Sequence, residues 1–384
     1  MKILVVAHFQ NDGSPCAIFI HDQMKAYVEL GHQVCAIVPV AFGKKNYQGK
    51  RISKRIEKQD IDGIRYLFVR YLSLSKYGEK NFNTRRAIGA IKKTAKSVAS
   101  WKPDVIHAHT LGFDSEIGVW LKERLTCPLV VTTHGGDTFE RIEDNKNAWV
   151  KDCADKADIV VCVSGKLRKA LDNCKVQVST RTILNGFNVQ SRSLEEEKMA
   201  FTVNQAGSLI ERKKTHITIQ AFSLLKEKYP QAILTIIGQG EEEQTLKNLC
   251  IQLNISDRVK FLGQMSNEQV MDMMSRSQFF VMPSVREGFG VVYLEAMASG
   301  CITIGTEGEG IADLIVSGQN GFLVPPNDPV SIANTIEWCL QNLDKAKEIA
   351  RKGKQDALAM TWQRNAKEYV ELFIELIAKT NKGK

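Results

Sequence analysis

Two carboxylates, Glu287 and Glu295, stand with seven residues between them, and the run Gly288-Phe289-Gly290-Val291-Val292 follows the first. An apolar segment over 279–283 leads into this stretch, and a helical pattern over 291–299 leaves it. The first amides of such a helix lack intrahelical partners and point into the loop. A helix terminus entered through glycine attracts anions and suits a diphosphate. Glu295, about one turn into the helix, is placed to accept hydrogen bonds from ribose hydroxyls. Glu287, on the loop, stands near where the sugar of such a ligand would lie. The plainer alternative is a solvated loop glutamate and a surface helix glutamate, and these residues alone leave both open.

Other residues carry weaker signals. His107 and His109 flank Ala108 on one apolar segment and so face the same side. No carboxylate or further histidine accompanies them at ligand spacing, so packing is read for His107 and cleft lining for His109. No Asp-x-Asp pair suggests a metal. Gly238-Gln239-Gly240 lacks the third glycine of a dinucleotide loop, because Glu243 occupies that place. It reads as a strand-to-helix turn.

The elements that must position these groups alternate along the chain. Strands are expected at 2–9, 33–40, 64–69, 104–109, 129–134, 159–163 and 182–184, with helical patterns between most of them. The pattern lapses into Ser, Arg and Glu over 190–198, read as a linker. It then restarts, with strands at 202–206, 233–237, 259–262, 279–283 and 302–305 and helices at 215–228, 241–253, 267–275 and 291–299. From Asp328 on the chain reads as helical. Strands apolar nearly throughout and separated by helices indicate parallel sheets covered on both faces. The fold class is therefore α/β, with two doubly wound Rossmann-like domains, 1–190 and 191–361, and a cleft between them; a last helix over about 362–384 packs back on the first domain. Ligands of such sheets bind beyond the carboxyl ends of the strands. Gly13, His109, His134 and Asn185 are among the residues that follow strands there.

Composition narrows the partners. The chain has 384 residues, 43% of them hydrophobic and 25% charged, which suits two globular cores. No apolar run reaches the ~18–20 residues of a membrane span, and the start is too polar beyond Val6 for a signal peptide. Nine scattered cysteines without a Cys-x-x-Cys pair argue against a disulfide framework and a zinc site. A cytoplasmic location is expected. The net charge of +9 favours anionic partners without choosing among them. Seven cationic residues crowd 44–58, and a basic helix over 83–100 carries Ile88, Ile91, Ala95 and Val98 on another face. That helix either lies on an anionic membrane or turns its apolar side to the sheet. Nucleic acid is not expected, since the basic clusters lack interleaved aromatics.

Glu287 and Glu295 with the intervening Gly-Phe-Gly resemble the E-x7-E motif of retaining GT-B glycosyltransferases, and Ala296-Met297-Ala298-Ser299-Gly300 resembles the end of that family's helix. Asp104-Val105-Ile106-His107-Ala108-His109, Thr133-His134-Gly135-Gly136-Asp137 and Ile183-Leu184-Asn185-Gly186 resemble further segments of the group 1 (family four) enzymes, and 305–322 resembles another, with Asp313 at a usual Glu. The helix beginning Phe19-Ile20-His21-Asp22 is similar to the branch that makes bacterial surface polysaccharides.

The resemblance implies roles. Glu287 would contact the donor sugar near the anomeric carbon, with His134 beside it, and Glu295 would bind ribose. The amides of Phe289, Gly290, Val291 and Val292, after Gly288, would hold sugar hydroxyls and diphosphate. Gly13 would let the first loop approach phosphate. His109, Asp137 and Asn185 would line the acceptor side. One departure concerns the phosphate clamp. Lys213 matches the usual Lys, but Ser208 stands at the usual Arg and Lys214 at a usual Gly. Arg212 is the candidate replacement, although neighbouring side chains are expected to diverge. The implied activity is transfer of a sugar from a UDP- or GDP-sugar to a glycan or lipid-linked hydroxyl, with retention and without a metal or other cofactor, and with peripheral membrane contact possible. The alternatives are a nucleotide-sugar epimerase on the same scaffold and a non-catalytic nucleotide-sugar-binding protein.

Overall fold

The computed structural model describes residues 1–8, 16–42, 55–73, 80–144, 146–188 and 198–382. They divide into two units, Met1–Asn188 with Thr361–Lys384, and Val189–Met360.

Unit 1 is built on eight strands: β1 (Lys2–Val6), β2 (Gln33–Ala41), β3 (Ile56–Ile61), β4 (Ile64–Tyr71), β5 (Val105–His109), β6 (Leu129–Thr133), β7 (Ile159–Cys162) and β8 (Thr180–Thr182). Their order is β3-β4-β2-β1-β5-β6-β7-β8, and every pairing but β3–β4 is parallel. The chain order reverses between β1 and β5, so a crevice opens at the carboxyl ends of these two strands. β1, β5, β6 and β7 are buried almost throughout, as sheets covered on both faces must be. β3 was not expected. Its Glu57, Lys58 and Asp60 give a half-exposed edge strand, and Asp62-Gly63, both at positive φ, turn it into β4. β8 begins two residues before the expected place. The last helix, Trp362–Lys382, belongs to this unit and sends Trp362, Tyr369, Phe373 and Leu376 into the core beside Tyr27. Gln23 Nε2 donates to Asn365 Oδ1 at 2.6 Å beneath it.

The basic helix expected over 83–100 is two helices, Lys80–Ile91 and Ala95–Trp101. Ile88, Ile91 and Val98 are buried, so this apolar side is spent on the core.

Unit 2 holds β9 (Met199–Ala206), β10 (Ile233–Ile237), β11 (Val259–Gly263), β12 (Ser277–Val281), β13 (Ile302–Thr306) and β14 (Phe322–Val324). All are parallel, in the order β11-β10-β9-β12-β13-β14, with the reversal between β9 and β12. Helices Thr215–Leu224 and Pro329–Gln341 bury Ile219, Phe222, Ile332 and Ile336 against Val203, Leu234 and Ile304. Gly238-Gln239-Gly240 is the turn between β10 and the helix Glu243–Gln252.

Among the described residues, no helix is long and apolar enough to cross a membrane, and the nine cysteines are unpaired, all but Cys174 buried.

Candidate active site

In unit 2 the chain leaves β12 through a loop and enters the helix Val291–Ala298 at Gly290, whose φ of 80° is the left-handed conformation that glycine adopts without strain. A side chain at Gly290 would also meet the Tyr293 ring at 2.8 Å and Glu287 Cγ at 3.3 Å. Phe289 is buried and pins the loop to the unit. The amides of Val291 and Val292 open the helix and have no intrahelical acceptor. The helix dipole adds positive potential at that end.

Glu287 is 9% exposed. Its backbone amide donates to Glu309 Oε2 at 2.9 Å. Its carboxylate Oε2 accepts from Arg212 Nη1 at 3.3 Å and from Lys213 Nζ. The two neighbouring cations do not diverge, contrary to expectation. Residues 211–213 form one 3-10 turn, Val285 N donates back to Arg212 O at 2.8 Å, and Glu287 lies within reach of both side chains. Lys214 takes the place of the usual glycine by adopting φ 52° itself, at a cost of about 1–2 kcal/mol. Ser208 is exposed and carries no charge to this cluster.

Glu295 lies one turn into the helix. Burial pushes its carboxyl pKa up, opposed by a 2.7 Å hydrogen bond from Asn267 Nδ2. Neither Glu309 nor Asn267 was read as functional. Their roles come from contacts 22 and 28 residues along the chain.

Unit 1 gathers a second cluster beyond β1, β5 and β6. His134 packs on Phe19, with ring centroids 4.7 Å apart, and stacks on His109 at 5.4 Å. His109 Nδ1 and His134 Nε2 are 3.1 Å apart. Burial lowers both pKa values, that of His134 to about 4 although the Asp137 charge opposes the shift. With both rings neutral, one proton sits between them. His109 Nε2 and His134 Nδ1 are left buried without a partner.

His109 is therefore not a lining residue. It is 1% exposed, and its ring nitrogen meets that of the half-buried His134. Asp137 is likewise a latch rather than a lining group. It is buried, and it accepts from the amides of His134 at 3.1 Å, Gly135 at 3.0 Å and Leu111 at 2.7 Å, tying the loops after β5 and β6 together. Asn185 is also buried and follows β8, two strands beyond β6, about 10 Å away by strand spacing. His107 is a core residue, bonded to Thr132 Oγ1 at 2.8 Å and held neutral by burial with its pKa near about 3.

Sequence reading missed His8 and Asp114. His8 Nδ1 meets Asp114 Oδ2 at 2.8 Å in the crevice between β1 and β5, and Thr110 Oγ1 donates to the same oxygen at 3.0 Å. The Asp114 charge raises the His8 pKa against a smaller desolvation effect. Gly13 lies outside the described residues. No group of three or more metal-ligating side chains occurs among the described residues.

Two adjoining families match the chain: Glycosyltransferase Family 4 over residues 17–191, and Glycosyl transferases group 1 over residues 187–356. An uncharacterised glycosyltransferase of Methanocaldococcus jannaschii is 26% identical over 278 residues, 72% of this chain and 77% of its own. The N-acetyl-alpha-D-glucosaminyl L-malate synthase of Bacillus anthracis is 24% identical over 297 residues, 73% and 77% of the two chains. The D-inositol 3-phosphate glycosyltransferase of Corynebacterium urealyticum is 30% identical over 199 residues, 50% of this chain and 47% of its own. Among solved structures, Anabaena HepE in complex with UDP and glucose superposes with TM-score 0.73 at 21% identity, covering 98% of this chain and 100% of that one. Sucrose-phosphate synthase from Thermosynechococcus elongatus gives 0.75 at 19%, covering 99% and 100%. Two largely parallel-sheet units, each under its own family match, with Glu287 on the loop and Glu295 on the helix of the second, establish that this chain belongs to the group 1 glycosyltransferases of GT-B fold.

Proposed function

We propose that the chain transfers a sugar from a UDP- or GDP-sugar to a hydroxyl of a glycan or lipid-linked acceptor, with retention of configuration and without a metal. The observation that carries this reading is the convergence of Arg212 and Lys213 on Glu287 beside the glycine-entered helix that bears Glu295. In this reading unit 2 holds the donor. The amides of Val291 and Val292, Lys213 and Arg212 take the diphosphate, and Glu295 takes the ribose hydroxyls. As the bond from the anomeric carbon to the phosphate oxygen breaks, negative charge grows on the diphosphate, where preformed dipoles and cations stabilise it most. Glu287 faces the positive charge that develops at the anomeric carbon. The acceptor oxygen bonds from the side the phosphate leaves, and the departing phosphate oxygen takes its proton. His134, held neutral, donates or accepts a hydrogen bond to a sugar hydroxyl and brings no cation. The charge missing at Ser208 is supplied from Arg212, which removes the one feature that favoured a non-catalytic binding protein.

The names of two relatives, a D-inositol 3-phosphate glycosyltransferase and an L-malate synthase, support small hydroxylated anions as one acceptor class. UDP and glucose in the HepE complex support a UDP-sugar as the first donor to try. Cytoplasmic cell-surface polysaccharide or glycolipid synthesis is the role we assign, by analogy with the family. The test is to follow nucleoside diphosphate release from a panel of UDP- and GDP-sugars with such acceptors, then read the product's anomeric configuration by NMR. An inverted product sinks the retaining mechanism, and donor conversion without transfer turns the reading toward the epimerase.

A further inference from the structure

A cavity of about 410 Å³ opens in unit 1 where β2 and β4 end. Arg55, Arg70, Phe42 and Tyr71 line it from the sheet, and Arg86 and Gly89 from the helix Lys80–Ile91. Its volume falls within the range of small-ligand sites, ~300–1,000 Å³. No carboxylate lines it among the described residues.

Two features mark this place. β3 pairs with β4 so that Ile56 faces Val69, which sets Arg55 beside Arg70, and Arg70 N donates to Arg55 O at 3.0 Å. Like charges opposite one another on paired strands repel. Arg86 adds a third guanidinium from the helix, its Nη1 3.4 Å from Leu72 O. The second feature is Gly89. Glycine weakens a helix interior relative to alanine, yet a Cβ built on Gly89 meets nothing within 4 Å. Packing does not require glycine there; the space it leaves belongs to the cavity. A helix glycine beside gathered guanidiniums, where packing does not ask for one, marks a functional demand. Arg70 also lies over the Phe42 ring at 4.5 Å, and Phe42 is 67% exposed. Such stacking orients a guanidinium, whose fork matches phosphate and carboxylate oxygens.

We propose that this cavity is an oxyanion subsite that takes the phosphate or carboxylate of the acceptor, while Phe42 and Tyr71 pack against the body that carries it. Its identity as an acceptor subsite rests on the transferase reading; its affinity for an oxyanion does not.

The test is calorimetric titration of the full chain with glucose 6-phosphate and with glucose, for wild type, Arg70→Gln, Arg86→Gln and Gly89→Leu, with UDP as a second ligand. Gly89→Leu fills the cavity while keeping all three charges, and the helix gains propensity. Glucose 6-phosphate is expected to bind and glucose to give no signal. Each arginine variant should weaken binding about tenfold or more. Gly89→Leu should weaken it with an unreduced melting temperature, and UDP affinity should be unchanged throughout. No binding of glucose 6-phosphate or of the vesicles below to wild type, or binding to all three variants equal to that of wild type, overturns the subsite. Vesicles of phosphatidylcholine with phosphatidylglycerol form a further arm. Vesicle binding that the arginine variants abolish, without binding of glucose 6-phosphate, overturns the acceptor assignment in favour of a lipid headgroup. Glucose 6-phosphate bound where UDP is not leaves the subsite standing and sinks the transferase reading; the reverse sinks the subsite alone.

Discussion

Gly310→Ala perturbs the proposed donor loop without touching a charge. Gly310 is buried at the start of a 3-10 turn, and a Cβ built on it falls 2.7 Å from the Gly288 carbonyl carbon and 2.8 Å from Phe289 Cα. Backbone cannot yield as a flexible side chain does, so the two segments must part by about 1 Å. The preceding residue, Glu309, holds the Glu287 amide at 2.9 Å, so the displacement reaches the carboxylate that gathers Arg212 and Lys213. A misplacement of about 1 Å costs on the order of 10²-fold in rate, and overpacking costs about 1–3 kcal/mol of stability. Gly308→Ala is the control. It has φ 70° and open space around its Cβ, so it costs about 1–2 kcal/mol through backbone strain alone. The assay is nucleoside diphosphate release from the donor, with melting temperature measured alongside. The two variants should lose similar stability, and only Gly310→Ala should lose turnover. Wild-type turnover in Gly310→Ala refutes the coupling of this turn to the donor loop.

Three further outcomes follow from the same geometry. Glu287→Gln should cut turnover by about 10²–10³-fold but leave UDP affinity equal or tighter, because Arg212 and Lys213 are then released to the diphosphate; weaker UDP binding contradicts this. His109→Asn keeps a polar group near the position of Nδ1 and should retain more turnover than His109→Leu, with the difference carried by kcat; equal losses would make His109 a packing residue only. The histidines also set an acid limit. His134 and His107 titrate near about 4 and about 3 when folded against 6.5 when unfolded, so between those values the unfolded chain binds more protons. Their contribution is full above pH 6.5 and is lost as pH falls toward 4, by about 1.4 kcal/mol per unit for each group. The urea midpoint of unit 1, followed by the fluorescence of Trp101, Trp120, Trp149 and Trp362, should fall between pH 7 and pH 5; an unchanged midpoint contradicts the burial of His107 and His134 as neutral rings.

Much of the fold was legible because buried parallel strands are apolar on both faces. Ile3–Val6 and Val105–His109 needed no partner to be recognised. β3 escaped because an edge strand half in water carries charges, although Asp62-Gly63 between two alternating runs was a hairpin signal. The single helix read over 83–100 failed at Lys92–Thr94, where the Thr94 amide and hydroxyl both bond to Ile91 O and close a local turn that helical periodicity does not reveal. In the site, Glu287, Gly290 and Glu295 could be read because one loop and one helix turn carry them. The approach of Lys213 and Arg212 to Glu287 spans 74 and 75 residues and depends on a 3-10 turn, which spacing does not reveal. His109 ends β5 and Asp137 comes shortly after β6, so both resemble lining residues; only burial and the amides around Asp137 show that they hold His134 and its loop in place.

The most direct measurement is thermal stability of the wild type and Glu295→Ala against UDP, GDP, ADP and their sugar conjugates. A ligand at one hundred times its dissociation constant adds about 2.7 kcal/mol to the state that binds it. One nucleotide family should stabilise the wild type by that amount and fail to stabilise Glu295→Ala. Equal stabilisation of both proteins, or none by any nucleotide, would contradict the donor site at the head of the helix Val291–Ala298.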